Sequence, residues 1–376
     1  MIEPKFFVDT LANNGMSFFA GVPDSLLKNI CAYITDNVQA KDNIIAANEG
    51  GAIGLAAGYY LATCKIPVVY MQNSGEGNTV NPLMSLTDKD VYNIPVLLVI
   101  GWRGEPGKHD EPQHVKQGKV TLSLLNAMGI KHAVLSENET EAASQIEEAA
   151  SYMSETKEAY ALIVRKGTFG EYKLQKTVDS GLSMPRETAI GIAAGNIESD
   201  AVIVSTTGMI SRELFEYRAH NNEGHERDFL TVGSMGHASQ IALGIALQKP
   251  DRRVYCFDGD GASIMHMGNM AIVGSLHPKN YVHVVFNNGA HDSVGGQPTV
   301  GLDINLPKIA EALGYKQIIP VDNEEGLKGA MELVKDLEGP VFIEVKVKKG
   351  ARKDLGRPTT TPIQNKEALM DFIKNK

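Results

Sequence analysis

The sequence predicts an α/β protein of two tandem doubly wound parallel-sheet domains. Three features of its 376 residues point there. Short runs rich in Val, Ile and Tyr alternate with helix-length stretches, the pattern of a parallel sheet covered on both faces. The alternation dissolves between 167 and 185 (GTFGEYKLQKTVDSGLSMP) and then starts again. In the second half an apolar run (RVYCF) enters a turn with two glycines, then a helix-length stretch and a second apolar run (YVHVVF).

In chain order, strands are expected at 18–22 (FFAGV), 44–47, 68–72 (VVYMQ), 96–101 (VLLVIG), 132–135 and 160–165. Helical stretches such as 51–63 and 139–153 lie between them. The expected domains are 1–168 and 186–376, joined by a linker at 169–185. The second opens with a helix at 186–197 and has strands at 201–205, 229–233, 253–257, 281–286, 317–321 and 341–347. Its central helix is expected from 262 to about 275. No local sequence repeat relates the two halves.

The turn Gly259-Asp260-Gly261 organises the second half. A parallel crossover brings the carboxyl ends of the 253–257 and 281–286 strands side by side, so Asp260 and Asn288 project from one edge. A carboxylate, an amide oxygen and a nearby backbone carbonyl are hard donors suited to Mg²⁺, which keeps sites for phosphate oxygens and water. A helix opening at Ala262 aims its free N–H groups at the same place, and Gly261 has no Cβ to obstruct a phosphate. A Mg²⁺-diphosphate cofactor uses all of these parts; a plain strand–turn–helix capped by its Asp is the simpler alternative. A dinucleotide turn fits less well, because Ile264 stands where GxGxxG needs its third glycine.

GDG followed, after one helix and one strand, by Asn287-Asn288 resembles the cofactor motif of thiamine-diphosphate enzymes. That resemblance implies Mg²⁺ ligands at Asp260, Asn288 and the carbonyl of Ala290. It also implies a pyrimidine-binding first domain and a diphosphate-binding second one, here with no middle domain between them. Glu49 stands just beyond an apolar strand, where burial among Ala and Gly would raise its pKa, although a first-turn glutamate also suits the helix dipole. It matches the family's catalytic glutamate, which shares a proton with the aminopyrimidine. Thr207, Gly208 and Met209 match a diphosphate-binding turn, whose alternative is a plain N-cap. Gly233, Ser234 and Met235 resemble the segment that accepts from the aminopyrimidine and props the cofactor, and Gly77-Asn78 resembles the family's Gly-Asn beside that ring. Ser25 matches a position that related 2-keto acid decarboxylases set against the substrate.

The resemblance narrows further through FAGVPDSLL (19–27), QNSGEGN (72–78), GWRG (101–104), DEPQH (110–114), NGAHD (288–292) and DLGRPTTTP (354–362). These segments are similar to phosphonopyruvate decarboxylases, with sulfopyruvate decarboxylases as near relatives. The implied reaction releases CO₂ from 3-phosphonopyruvate and yields phosphonoacetaldehyde, a step towards 2-aminoethylphosphonate. Such a substrate needs cations within an acidic chain. Arg352 and Arg357 in the basic tail, and Arg103, His109 and His114 after the 96–101 strand, are candidates; Asp24 and His291 complete the candidate substrate set. A solvated charge run is the ordinary fate of such a tail. Family members bind the cofactor between subunits, which implies at least a homodimer.

Composition narrows the rest. A net charge of −9 argues against a nucleic-acid binder. Cys31, Cys64 and Cys256 are too scattered for a disulfide framework or a zinc site, and the opening MIEPKFFVDTLANNG is no signal peptide. A reduced, cytoplasmic setting without nucleic-acid or membrane partners is expected. A nucleotide-dependent α/β enzyme and a non-catalytic subunit remain as other readings.

Overall fold

The structure, a computed structural model, describes residues 1–176 and 179–375. Contacts divide it into two compact units, Met1–Thr177 and Val178–Lys376. The first unit holds strands β1 (Phe19–Gly21), β2 (Asn43–Ile45), β3 (Val68–Gln72), β4 (Leu97–Gly101), β5 (Lys131–Val134) and β6 (Tyr160–Val164). The second holds β7 (Val202–Ser205), β8 (Asp228–Leu230), β9 (Val254–Gly259), β10 (Tyr281–Asn287), β11 (Gln317–Val321) and β12 (Val341–Lys346).

Each unit is one six-stranded sheet, in the orders β2-β1-β3-β4-β6-β5 and β11-β12-β10-β9-β7-β8. Every strand pairing is parallel. Counting each unit's strands from one to six and reading the second sheet from its other edge gives the same order, 2-1-3-4-6-5, in both. The two halves thus share a topology that their sequences do not announce.

The apolar runs are continuous because both faces of each sheet are covered. In β3, Val68 and Tyr70 join one core while Val69 and Met71 join the other. In β9, Tyr255 and Phe257 face one side, and Val254 and Cys256 the opposite side. This is strand periodicity of two with apolar residues at every position.

Three expectations change in detail. The expected 262–275 helix is two pieces, Asp260–Met265 and Gly268–Leu276, separated where His266 leaves helical geometry. The turn after β8 packs at that break, and Asn269 Nδ2 donates to Gly236 O at 3.1 Å. β8 ends at Leu230 rather than 233, because Gly233 and Ser234 take φ of 72° and 46° and turn the chain away. The expected linker forms no helix or strand among its described residues, yet its start is tied down. Phe169 packs edge-on against Phe7 at 5.0 Å, and Gln175 and Lys176 donate their N–H groups to Asp36 at 2.7 and 2.9 Å. Residues 177 and 178 of that stretch lie outside the described residues. Among the described residues, no helix is long and apolar enough to cross a membrane.

Candidate active site

In the second unit the sheet order reverses between β7 and β9, and the strand ends there carry the candidate cofactor residues. The turn after β9 is shaped from beneath. Asp258 accepts from Gly259 N at 3.0 Å and from Ser263 Oγ at 3.0 Å, with His283 Nε2 3.3 Å away. His283 Nδ1 in turn faces the Tyr315 hydroxyl at 3.1 Å. Cys256, Asp258 and His283 cluster closely enough to suggest a metal site, but these hydrogen bonds already engage Asp258 and His283.

Asp260 stands above this layer and is buried. One carboxylate oxygen faces Asn288 N at 3.4 Å, and the other accepts from the Thr299 hydroxyl. Burial pushes its pKa up to about 6, against the pull of Thr299 and backbone N–H groups. A buried carboxylate surrounded by neutral donors is what a divalent cation would stabilise. Asn288 is buried beside it, its Oδ1 accepting from Ala290 N at 3.0 Å. Asp260 and Asn288 thus meet as topology requires, with Ala290 two residues along, and this oxygen set fits Mg²⁺.

A buried network orients Asn288. Its Nδ2 donates to Asp292 Oδ2 at 2.7 Å, and the same oxygen accepts from Arg186 Nη1 at 2.8 Å and Gly350 N at 2.9 Å. Arg186 is gripped from its other side by Glu213 at 2.8 and 3.0 Å. Sequence reasoning missed Arg186, Glu213 and Thr299, which belong to no recognisable short motif, and gave no role to Asp292 at the end of NGAHD.

The neighbouring turns close on the same edge. Gly208 has φ 102°, and a Cβ there would lie 2.9 Å from Ser293 Oγ, so only glycine fits. It is the N-cap of the Met209–His220 helix and provides no side-chain cap, so the first-turn N–H groups suit an anion. Thr207 Oγ1 accepts from Gly233 N at 3.1 Å, joining the turns after β7 and β8. Ser234 is exposed and Met235 half-buried in that second turn. The His291 ring lies over Gly261, and burial lowers its pKa to about 4, leaving it neutral. Gly259 ends β9, and Ala262 falls inside the short helix that begins at Asp260.

In the first unit the corresponding reversal lies between β1 and β3. Asn48 caps the Glu49–Thr63 helix by accepting from Gly51 N at 2.8 Å, which fixes Glu49 as its first residue. Glu49 is buried, and Asn78 Nδ2 donates to its Oε2 at 2.7 Å. Its carboxylate lies over Gly75, where a Cβ would come within 2.4 Å of Oε1. Gly77 and Asn78 are exposed.

Arg103 follows β4 and is fixed by its neighbours. It forms a two-pronged ion pair with Asp110, one contact at 2.8 Å, and its Nη1 donates to Ser25 Oγ at 2.7 Å. Asn73 clamps its backbone at 2.8 and 3.1 Å. Asp24 is fully buried and accepts from Leu26 N at 2.9 Å; burial pushes its pKa up to about 6. His114 is buried, and burial and then Arg103 hold its pKa below the usual histidine value. Glu76, which sequence reasoning passed over inside QNSGEGN, is buried and pushed up to about 8 by desolvation.

His109 and Arg357 are exposed. Arg352 pairs with Glu187 at 2.9 Å, with Asp354 at 3.1 Å and with Glu216, so three carboxylates already share its charge.

This geometry gathers hard oxygen donors and uncapped helix N–H groups at one edge of the second unit and presents a buried glutamate in the first. Two family models match the chain: "Thiamine pyrophosphate enzyme, N-terminal TPP binding domain" over residues 4–124 and "Thiamine pyrophosphate enzyme, C-terminal TPP binding domain" over 206–345. The chain belongs to the thiamine pyrophosphate enzymes and, within them, to a group of decarboxylases, with thiamine pyrophosphate and Mg²⁺ as cofactors. A phosphonopyruvate decarboxylase of Streptomyces viridochromogenes is 31% identical, across 99% of this chain and 95% of that one. One from Streptomyces hygroscopicus is 30% identical, across 99% and 94%. A sulfopyruvate decarboxylase of Methanosarcina acetivorans is 28% identical, across 91% and 90%.

Proposed function

We propose that the protein decarboxylates 3-phosphonopyruvate to phosphonoacetaldehyde and CO₂, as a step towards 2-aminoethylphosphonate. The observation that carries the reading is Arg103, a cation pinned beside Ser25 at the strand-end edge of a unit otherwise rich in buried acids. The full-length similarity to two phosphonopyruvate decarboxylases supports it.

In this reading Asp260, Asn288 and the Ala290 carbonyl hold Mg²⁺. Thr207, Gly208, Met209 and the 259–262 turn receive the diphosphate, and Gly233, Ser234 and Met235 with Gly77 and Asn78 receive the pyrimidine end. When bound, the cofactor supplies an electron sink for the bond broken as CO₂ leaves. Glu49 holds a proton against the aminopyrimidine, and Asn78 fixes the carboxylate that does so. Arg103 and Ser25 orient the anionic substrate, while neutral His114 and His291 donate without adding charge. A proton replaces the lost carboxylate, so the reaction balances without oxidant or reductant. The protein works in the cytoplasm as at least a homodimer, with the two kinds of edge supplied by different copies.

A sulfopyruvate decarboxylase is the second reading, favoured by the 28% identity across 91% of the chain. A CO₂-release assay with both keto acids, with and without thiamine pyrophosphate and Mg²⁺, separates them. Cofactor-dependent release from phosphonopyruvate well above that from sulfopyruvate is expected, and the reverse preference sinks the proposal.

A further inference from the structure

The segment after β10 carries a polar side chain that the site described above leaves unexplained. Gln297 is fully buried, yet neither its Oε1 nor its Nε2 meets a hydrogen-bonding partner among the described residues. The other buried side-chain amides behave differently. Asn73 bonds Arg103 and Thr121, Asn287 bonds Gly301 and Glu344, Asn288 bonds Asp292 and Ala290 N, and Asn365 bonds Asp228 and Leu230. Native proteins satisfy the large majority of buried side-chain amides, because the unmade bond costs the full desolvation of the group. A fully buried amide with two idle atoms is therefore a side chain shaped for something it binds.

Its direction follows from the local pairing. Thr299 N donates to Gly289 O at 2.9 Å, His291 N donates to Gln297 O at 2.9 Å, and Ala290 bridges Pro298 in antiparallel fashion. In such a ribbon, residues two apart share a face, and residues opposite one another share it too. Gln297 thus lies on the face of Thr299, whose hydroxyl donates to Asp260, and of His291, whose ring covers Gly261. The backbone curls around the amide: Gly295, with φ 132°, has no Cβ, and one placed there would lie 2.9 Å from both Oε1 and Nε2.

We propose that Gln297 binds the metal-bound diphosphate end of the cofactor, Nε2 donating to a phosphate oxygen and Oε1 accepting from a water on Mg²⁺. A carboxamide offers one donor and one acceptor side by side, which matches a phosphate oxygen next to a metal-bound water. The proposal rests on the reading that the Asp260 edge holds that group. The face shared with Thr299 and Asp260 favours the cofactor over the keto acid as its ligand.

Calorimetry on the full-length cofactor-free protein, titrated with thiamine pyrophosphate at saturating Mg²⁺, tests it. Gln297→Met keeps the volume and removes both polar atoms. It is expected to weaken cofactor binding roughly 10- to 100-fold, the loss of a hydrogen bond to a charged group. The cofactor-free variant is expected to melt no lower than the parent, since an unsatisfied amide has gone. Gln297→Glu sets a carboxylate against phosphate and is expected to lose more affinity than Met. Binding within twofold of the parent in both variants overturns the proposal. So does a raised KM for the keto acid with cofactor affinity unchanged, which would assign the amide to the substrate. Asp260→Asn runs alongside: if it binds cofactor as the parent does, the underlying site reading has failed, independently of Gln297.

Discussion

At the strand ends of the first sheet stand Asp24, Ser25, Glu76 and Arg103; at those of the second stand Asp260, Asn288, His291 and Thr299. Both sets follow the carboxyl ends of parallel strands at or next to the point where the common strand order reverses, so topology explains why polar residues gather there. The side chains then give the two edges different work. The first carries a fixed cation and buried acids with raised pKa values, Asp24 near 6 and Glu76 near 8. The second carries oxygen donors around the buried Asp260 carboxylate and keeps its histidine neutral. In the proposed reading, one edge handles protons and an anionic substrate and the other holds a cation and its phosphates.

Paired variants test that division. Glu49→Gln is expected to cut CO₂ release by roughly 10²–10⁴-fold, the usual size of a lost acid–base group. Cofactor affinity by calorimetry is expected to change only a few-fold. Asp260→Asn is expected to do the converse, losing Mg²⁺-dependent cofactor binding at physiological metal concentration. If both variants weaken cofactor binding alike, the two edges are not separate in function.

A finer cut lies within each edge. Asp292 touches Asn288 but need not touch the metal, so Asp292→Asn is expected to weaken Mg²⁺ about 10- to 100-fold, as second-layer partners of metal sites do. Metal titrations read by cofactor retention would show it, and a wild-type midpoint would remove the Arg186–Asp292 network from the metal's support. On the other edge, Arg103→Ala is expected to raise KM for the keto acid roughly 10-fold or more while leaving cofactor affinity unchanged. An unchanged KM would move substrate recognition elsewhere.

The contrast also bears on what could be read from residues alone. All twelve expected strands appear, because parallel strands buried on both faces leave unbroken apolar runs such as VVYMQ and YVHVVF. Asp260 and Asn288 were legible because a βαβ crossover fixes where strand ends lie. What escaped were partners chosen by the third dimension: Thr299 on Asp260, Asp292 and Arg186 behind Asn288, and Glu76 buried at the start of a short helix. The partners of the basic tail were hidden for a similar reason. Charge counted along the chain gives no sign that Glu187 and Glu216 will meet Arg352. The break after Met265 was hidden too, since the packing of Gly236 and Asn269 has no local signature.

The smallest expected effect concerns stability and isolates one acid of the first edge. Glu76 is about 8 in the fold against an ordinary 4.5, so the folded protein keeps a proton that the unfolded chain releases between those values. Proton binding is then greater in the native state, and stability falls as pH rises through that window. Asp24 acts in the same direction but only up to about 6. The interval from pH 6 to pH 8 therefore reports Glu76 with little from Asp24. Glu76→Gln removes the titration, so its unfolding free energy is expected to fall less across that interval. The difference is on the order of a few kcal/mol at most. Urea unfolding of the cofactor-free protein at several pH values checks this, and equal slopes would mean that Glu76 is ionised in the fold and that the first edge holds one proton fewer than its burial implies.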